Sequence, residues 1–353
     1  MLRFLLLIVT FSTLVFSTIE QTASAFDFKA SVRTNINMVG SSTVYPFAAS
    51  IAEEFGRSAK IKNPLARTPI VESTGTGGGF KLFCSGVGYN YPDFSNASRR
   101  IEKSEIARCN ENGVKKIVEI KIGYDGIVLA NSALGKKYSL TKQQVFLALA
   151  EKVPNKKGEL VNNYYQKWNE IDAKLPKINI AIYGPPSTSG TRDAFVELVM
   201  EPACINMKEF VETYPDKNVR KKKCHVIRSD GRFIEAGEND NLIVQKLKND
   251  HDALGVFGFS FLEENKEVIQ AALINQVQPS FNSIISGQYE VSRPLFIYFK
   301  KEHLDLIPQM REFIMEIVGK DTIGPDGYLL QKGLIPLTII ELKKVRDETI
   351  NNL

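Results

Sequence analysis

Histidine, cysteine and tryptophan are scarce in this 353-residue chain, and each scarcity excludes a chemistry. The three histidines, His225, His251 and His303, lie far apart with no cysteine or carboxylate cluster at ligand spacing, so neither a metal site nor a cofactor is expected. The four cysteines contain no CxxC spacing, which argues against thiol exchange. The single tryptophan, Trp168, reads as structural. No low-complexity segment or fixed-period repeat is visible, and beyond the N-terminus no apolar run approaches the ~20 residues that span a bilayer. Neither sign of charge dominates. Lysine and arginine number 45 against 40 acidic residues, a net +5 that suits small anions and is too thin for nucleic acid. What is present, 43% hydrophobic, 24% charged and 10% aromatic, is the profile of a globular protein long enough for two cores.

The N-terminus reads as an export signal. Arg3 precedes an apolar run from Phe4 to Phe16, and Ala23-Ser24-Ala25 offers a signal peptidase its small residues, so residues 1–25 are expected to be removed. No cysteine follows that site, and the mature protein is expected to be soluble, periplasmic and free of a lipid anchor. Cys84, Cys109, Cys204 and Cys224 would then meet an oxidising compartment. Three pairings are open, with Cys84–Cys109 and Cys204–Cys224 the economical choice because they close the short loops.

Three segments share a strand–turn–helix pattern. Ile36 and Met38 alternate before Gly40-Ser41-Ser42-Thr43, after which Phe47, Ile51 and Phe55 follow at helical spacing. The β-prone Pro69–Glu72 leads into Ser73-Thr74-Gly75-Thr76-Gly77-Gly78-Gly79 and a helix carrying Phe80, Leu82 and Phe83. Ile178, Ile180 and Ile182 alternate before Gly184–Thr191, and Ala194, Phe195, Leu198 and Val199 mark the third helical face. Each turn sets hydroxyls and glycines at a helix start, where unpaired N–H groups and the helix dipole favour an oxyanion. Any one such turn is more often a plain N-cap, but three together shift the balance.

Catalytic readings fare worse. Gly75–Leu82 fails as a nucleotide loop because Leu82 follows Lys81, and Phe80 stands at the last glycine of GxGxxG. The Ser187–Ser189 turn lacks GxSxG and a histidine tied to it, which disfavours a serine hydrolase. Gly237–Asn241 reads as a helix cap more than a cleft lining, Arg220–Lys223 as a solvated face, Leu306–Ile317 as a core stripe, and Gly86–Asp93 and Pro154–Gly158 as surface loops.

Gly40–Phe47, Ser73–Phe80, Asp93–Ser98, Ser187–Arg192 and Leu254–Gly258, in that order in an exported chain, resemble the motif set of the PstS-type phosphate-binding proteins of ABC importers. The resemblance implies an α/β, two-lobed periplasmic binding protein fold with mixed sheets. Lobe I would comprise residues 26–124 plus 292–353 and lobe II residues 125–291, with crossings near Gly123–Gly126 and Arg293-Pro294. It implies a monomeric, non-enzymatic receptor that encloses inorganic phosphate and delivers it to the permease subunits of an ABC transporter. Carried over by motif, the ligand set is Ser42, Thr43 and Val44 from the first turn, Thr76 from the second, Ser98, and Ser189, Gly190 and Thr191 from the third.

Two positions depart from the family pattern. Ser98 stands where several members have an aspartate that accepts the proton of hydrogen phosphate, and Glu72, Asp125 or Asp193 are the candidate substitutes. Pro185 stands where an arginine is frequent, and Arg99 and Arg192 are the nearest replacements. Another oxyanion such as sulfate or molybdate is the alternative ligand, and a secreted phosphatase the alternative class.

Overall fold

In the computed structural model, which describes residues 33–353 apart from 63, 65 and 238, the first strand–turn–helix unit forms where alternation and turn residues placed it. The expected signal peptide, residues 1–25, lies outside the described residues. Strand β1 (Asn37–Gly40) ends at its glycine, and helix α1 (Tyr45–Lys62) follows the Ser41–Val44 turn. Phe47, Ala48, Ile51, Ala52, Phe55 and Ala59 are buried at three- and four-residue spacing, so α1 lays one face on the core. There the Phe55 ring meets Phe313 edge-on at 5.1 Å. Phe313 belongs to the helix Met310–Ile317, whose Met310, Phe313, Ile314 and Ile317 are buried as the expected core stripe.

The second unit starts its helix earlier than expected. Strand β2 (Ile70–Ser73) leads to α2 (Thr76–Phe83), so the glycines read as turn are already helical. A Cβ on Gly79 would stand 2.5 Å from the Gly40 Cα, a backbone approach that only glycine permits. Glycine in a helix costs about 1 kcal/mol relative to alanine. Phe80 and Phe83, fully buried, more than offset this, at about 1.5–3 kcal/mol each. Strand β3 (Phe94–Ala97) pairs in parallel with β1, as β2 does on its other side, with Gly40 opposite both Ser73 and Asn96. The three strands therefore end along one edge and their C-terminal turns become neighbours, the usual seat of ligands in open α/β sheets.

Helix α3 (Lys103–Glu111) follows, held to the end of α2 by the Cys84–Cys109 disulfide. Strand β4 (Ile117–Ser132) then changes character along its length. Val118, Ile120 and Ile122 alternate with partly exposed neighbours, whereas Ile127 to Ala130 are all buried, so a strand covered on one face becomes one covered on both. Downstream come β5 (Ile182–Gly184), α4 (Gly190–Phe195), β6 (Phe233–Glu235), α5 (Asp240–Asn249), β7 (Leu254–Gly258), β8 (Ile269–Ala271) and β9 (Ser292–Lys300). β9 runs antiparallel to β4 from Ser292 opposite Gly126 to Lys300 opposite Ile117. Past Gly126, β4 changes partners to β7 and β8, while β5 lies between β7 and β6. Among the described residues the order is β2-β1-β3-β9-β4-β7-β5-β6 with β8 also on β4, two half-sheets joined through β4.

Local departures have tertiary causes. The third strand begins at Ile182 because Ile178 and Ile180 instead bond to Trp168 and Gln166. α4 passes into a π turn at Val196–Met200, which slips the buried face so that Met200 is covered and Leu198 is only half-buried. The second disulfide is Cys204–Cys224, as the short-loop pairing anticipated. Arg220 does not share the solvated face of Lys221–Lys223. It is buried and donates to the carbonyls of Ile205, Tyr214 and Pro215. Asp93 likewise ends its loop inside the protein, paired with Arg33 at 2.8 Å and with His303 Nδ1 at 2.6 Å.

Candidate anion-binding site

The first and third turns meet. Ser42 Oγ donates to Asp193 Oδ2 at 2.5 Å, and Thr43 Oγ1 lies 3.4 Å from the Gly190 carbonyl. A Cβ on Gly190 would be 3.0 Å from both the Ser42 carbonyl oxygen and the Thr43 Cα, so glycine sets how closely the turns approach. Ser189 caps α4, its Oγ accepting from the Thr191 N–H at 3.2 Å, and is itself buried. Val44, fully buried, anchors the start of α1.

The second turn joins this group through the sheet edge. The Thr74 N–H donates to the Gly40 carbonyl at 2.8 Å, and Gly79 packs on Gly40. Thr76 Oγ1 lies 3.0 Å from Ser98 Oγ and accepts from the Ser98 N–H at 3.2 Å, which makes a hydroxyl pair where β3 ends. Thr43, Ser189, Gly190 and Thr191 line a cleft of about 490 Å³ together with Asp125, Asn239 and Asp240. The Gly237–Asn241 turn thus has both of its possible roles: Asn239 caps α5, accepting from the Asn241 N–H at 3.0 Å, and also faces the cleft.

The two arginines chosen from sequence both have partners within the protein. Arg99 sits beside the second turn, but its guanidinium makes a two-pronged pair with Glu105 at 2.9 and 2.8 Å. Arg192 lies 4.2 Å over the Phe233 ring and donates to the Pro185 carbonyl at 3.1 Å. Lys332 lines the same cleft, and Arg293, named from sequence only as a crossing point, contacts the first-turn hydroxyl. Its Nη2 donates to Thr43 Oγ1 at 2.9 Å and its Nη1 to Glu197 at 2.5 Å. Asp125, its cross-strand partner, stands 3.6 Å from Nε. Burial pushes the Asp125 carboxyl above the usual carboxylate range and Glu197 adds to the rise, with Arg293 opposing.

Neutral N–H and hydroxyl groups at adjoining helix starts, a partly buried guanidinium and a small cleft thus stand together in a mixed α/β fold of the two-lobed binding-protein kind. The profile of the PBP superfamily domain matches residues 28–321, and the chain belongs to that superfamily. It is 30% identical over 276 residues to protein SphX of Synechococcus elongatus, covering 76% of this chain and 69% of that protein. Identity to the phosphate-binding protein PstS of Staphylococcus saprophyticus is 28% over 290 residues, covering 80% of this chain and 76% of that protein. Among solved structures, a possible phosphate binding protein from Planctomyces limnophilus superposes with a TM-score of 0.72 at 27% identity, over 92% of this chain and 100% of that one.

Proposed function

We propose that the chain is the exported receptor of a phosphate ABC importer, capturing inorganic phosphate and presenting the closed form to the permease without turning it over. The observation that carries this reading is the contact of the first and third turns, Thr43 against Gly190 and Ser42 against Asp193. It draws two helix starts from separate half-sheets around one small space. Lobe I is taken as 26–124 plus 292–353 and lobe II as 125–291, so that β4 and β9 are the connections about which the lobes close. Ser42, Thr43, Val44, Thr76 and Ser98 then supply donors from one side, and Ser189, Gly190 and Thr191 from the other.

Several short hydrogen bonds from uncharged donors can hold a desolvated anion without fixing it so tightly that release is lost. The phosphate named for PstS of S. saprophyticus, with 80% of this chain aligned, favours phosphate over other oxyanions. Among the described residues no helix is long and apolar enough to cross a membrane, which accords with a receptor that meets its permease from outside.

The test is a panel of oxyanions on phosphate-stripped protein, read by thermal shift and calorimetry. Phosphate at a hundred times its Kd should stabilise the fold by about 2.7 kcal/mol. Thr76→Ala should weaken phosphate binding about tenfold, beyond the roughly 1 kcal/mol that ligand-free protein loses when the Ser98 N–H is left without the Thr76 Oγ1 acceptor. Stabilisation by sulfate or molybdate alone would reassign the ligand. Hydrolysis of a chromogenic phosphate ester would reassign the class.

A further inference from the structure

Independently of which anion the cleft takes, we infer that the start of the helix Ile339–Ile350 is a docking point for an anionic lipid surface. Ile339 and Ile340 enter the apolar layer beneath the headgroups, and Lys343 and Lys344, one turn on, meet the lipid phosphates.

The helix lays one face on the protein, burying Leu342, Val345 and Thr349, and leaves Ile339 and Ile340 75% and 83% exposed. Among the described residues they are the one pair of consecutive large apolar side chains left open to water. A single exposed isoleucine is ordinary, but these two share a braced turn. The Glu341 N–H donates to Thr338 Oγ1 at 3.2 Å and the Thr338 N–H to the Glu341 carboxylate at 3.1 Å, a closed capping box. Glu341 also accepts from Lys121 Nζ at 2.5 Å and from the Tyr124 hydroxyl at 2.6 Å, which ties the helix start to β4. The apolar tip is therefore held outward by the fold, and covering it would remove apolar surface from water.

Charge names the occupant. The acidic residue of the first turn, Glu341, is turned toward β4 and offset there by Lys121. Spacing of three and four residues sets Lys343 and Lys344 behind the isoleucines, and both are exposed. Asp347 and Glu348 come a further turn along, Glu348 lying 3.8 Å from Lys344, so the outer face runs from apolar to cationic to anionic with distance from its tip. A negatively charged layer over an apolar interior matches the first two steps and leaves the third in water, where salt screens it. Lysine stems can lie along the apolar layer while their ammonium groups reach phosphate. A protein partner would be met by aromatic or arginine anchors in a shaped pocket. This helix carries no aromatic residue, and its one arginine, Arg346, turns inward to the Val318 carbonyl at 2.5 Å. Two aliphatic tips need only a fluid apolar layer. Lys332 and Gly333, which line the cleft, lie a few residues upstream, so a chain docked in this way holds its cleft beside the lipid.

The experiment is sedimentation of the protein with vesicles of phosphatidylcholine alone and of phosphatidylcholine mixed with phosphatidylglycerol. Wild type should bind the mixed vesicles at least about tenfold more strongly, and added salt should weaken that binding. Lys343→Gln and Lys344→Gln should each cost about fivefold. Ile339→Ser combined with Ile340→Ser should cost at least about tenfold. Melting should be unchanged in all of these, because the four side chains are exposed. Insertion has its own readout: Trp168 is fully buried, so Ile340→Trp adds an exposed indole whose fluorescence brominated lipid in the mixed vesicles should quench. No binding by wild type, or equal binding by the double serine variant, overturns the inference. Binding without quenching overturns the inserted pair and leaves adsorption by lysines alone. A wild-type dimer that the double serine variant dissolves, seen by analytical ultracentrifugation, would assign the pair to a contact between copies and overturn the inference likewise. Phosphate affinity by calorimetry should be the same in every variant, so a failure here is separable from a failure of the phosphate reading.

Discussion

Gly190→Ala tests whether the contact between the first and third turns belongs to the closed, ligand-bound form. The added methyl would stand 3.0 Å from the Ser42 carbonyl oxygen and from the Thr43 Cα, both backbone atoms that cannot rotate away. Relief requires the two turns to part by a few tenths of an ångström, and overpacking of this kind costs about 1–3 kcal/mol. If the turns touch only on closure, that cost falls on the bound state alone and appears as affinity. At 1.4 kcal/mol per tenfold, phosphate should bind about 5- to 150-fold more weakly. Calorimetry on stripped protein measures this, with melting of the ligand-free protein as the control. Wild-type affinity in the variant would refute the closure argument. A loss of ligand-free stability as large as the loss of affinity would also refute it, since the contact would then be permanent packing.

The elements that sequence could place are those whose cause is local. Phe47, Ile51 and Phe55 face the core because a helix repeats every 3.6 residues, and the hydroxyl–glycine turns sit at helix starts because capping is a short-range effect. Of the three pairings left open, the disulfides are the two that close the short loops. Asp125 was among the carboxylates the sequence offered, but its pairing with Arg293 was not legible, because the two become neighbours only through the antiparallel register of β4 with β9. Arg99 and Arg192 were named for their nearness along the chain to the hydroxyl turns. In the fold the first is held by Glu105 on the next helix and the second by the ring of Phe233. Asp93 was likewise read as a loop end because its partner His303 lies 210 residues away. The hydroxyl–glycine turns are therefore visible as sequence motifs here, while the pairing of Asp125 with Arg293 is a product of strand register.

Two further predictions concern stability. Replacing Cys204 and Cys224 by alanine should cost roughly 2–4 kcal/mol in guanidinium titrations, because their cross-link restricts the unfolded chain, and wild-type stability in the double variant would contradict this. Lys300 is fully buried, donates to the Gly86 carbonyl at 2.7 Å and lies 4.8 Å over the Phe83 ring. Burial pulls its ammonium down to about 7, with Arg33 adding and Asp93 and Glu302 opposing. The unfolded chain holds that proton up to about pH 10, so between about 7 and 10 it binds more protons than the folded state, and stability must rise with pH across that window. The full span amounts to about 5 kcal/mol at most. Lys300→Met removes the titration, so urea melts at pH 7, 8.5 and 10 should show a flatter rise in the variant than in wild type. Equal slopes in the two proteins would mean that Lys300 keeps its proton when folded, and that the Gly86 carbonyl and the aromatic faces around it solvate the charge as well as water does.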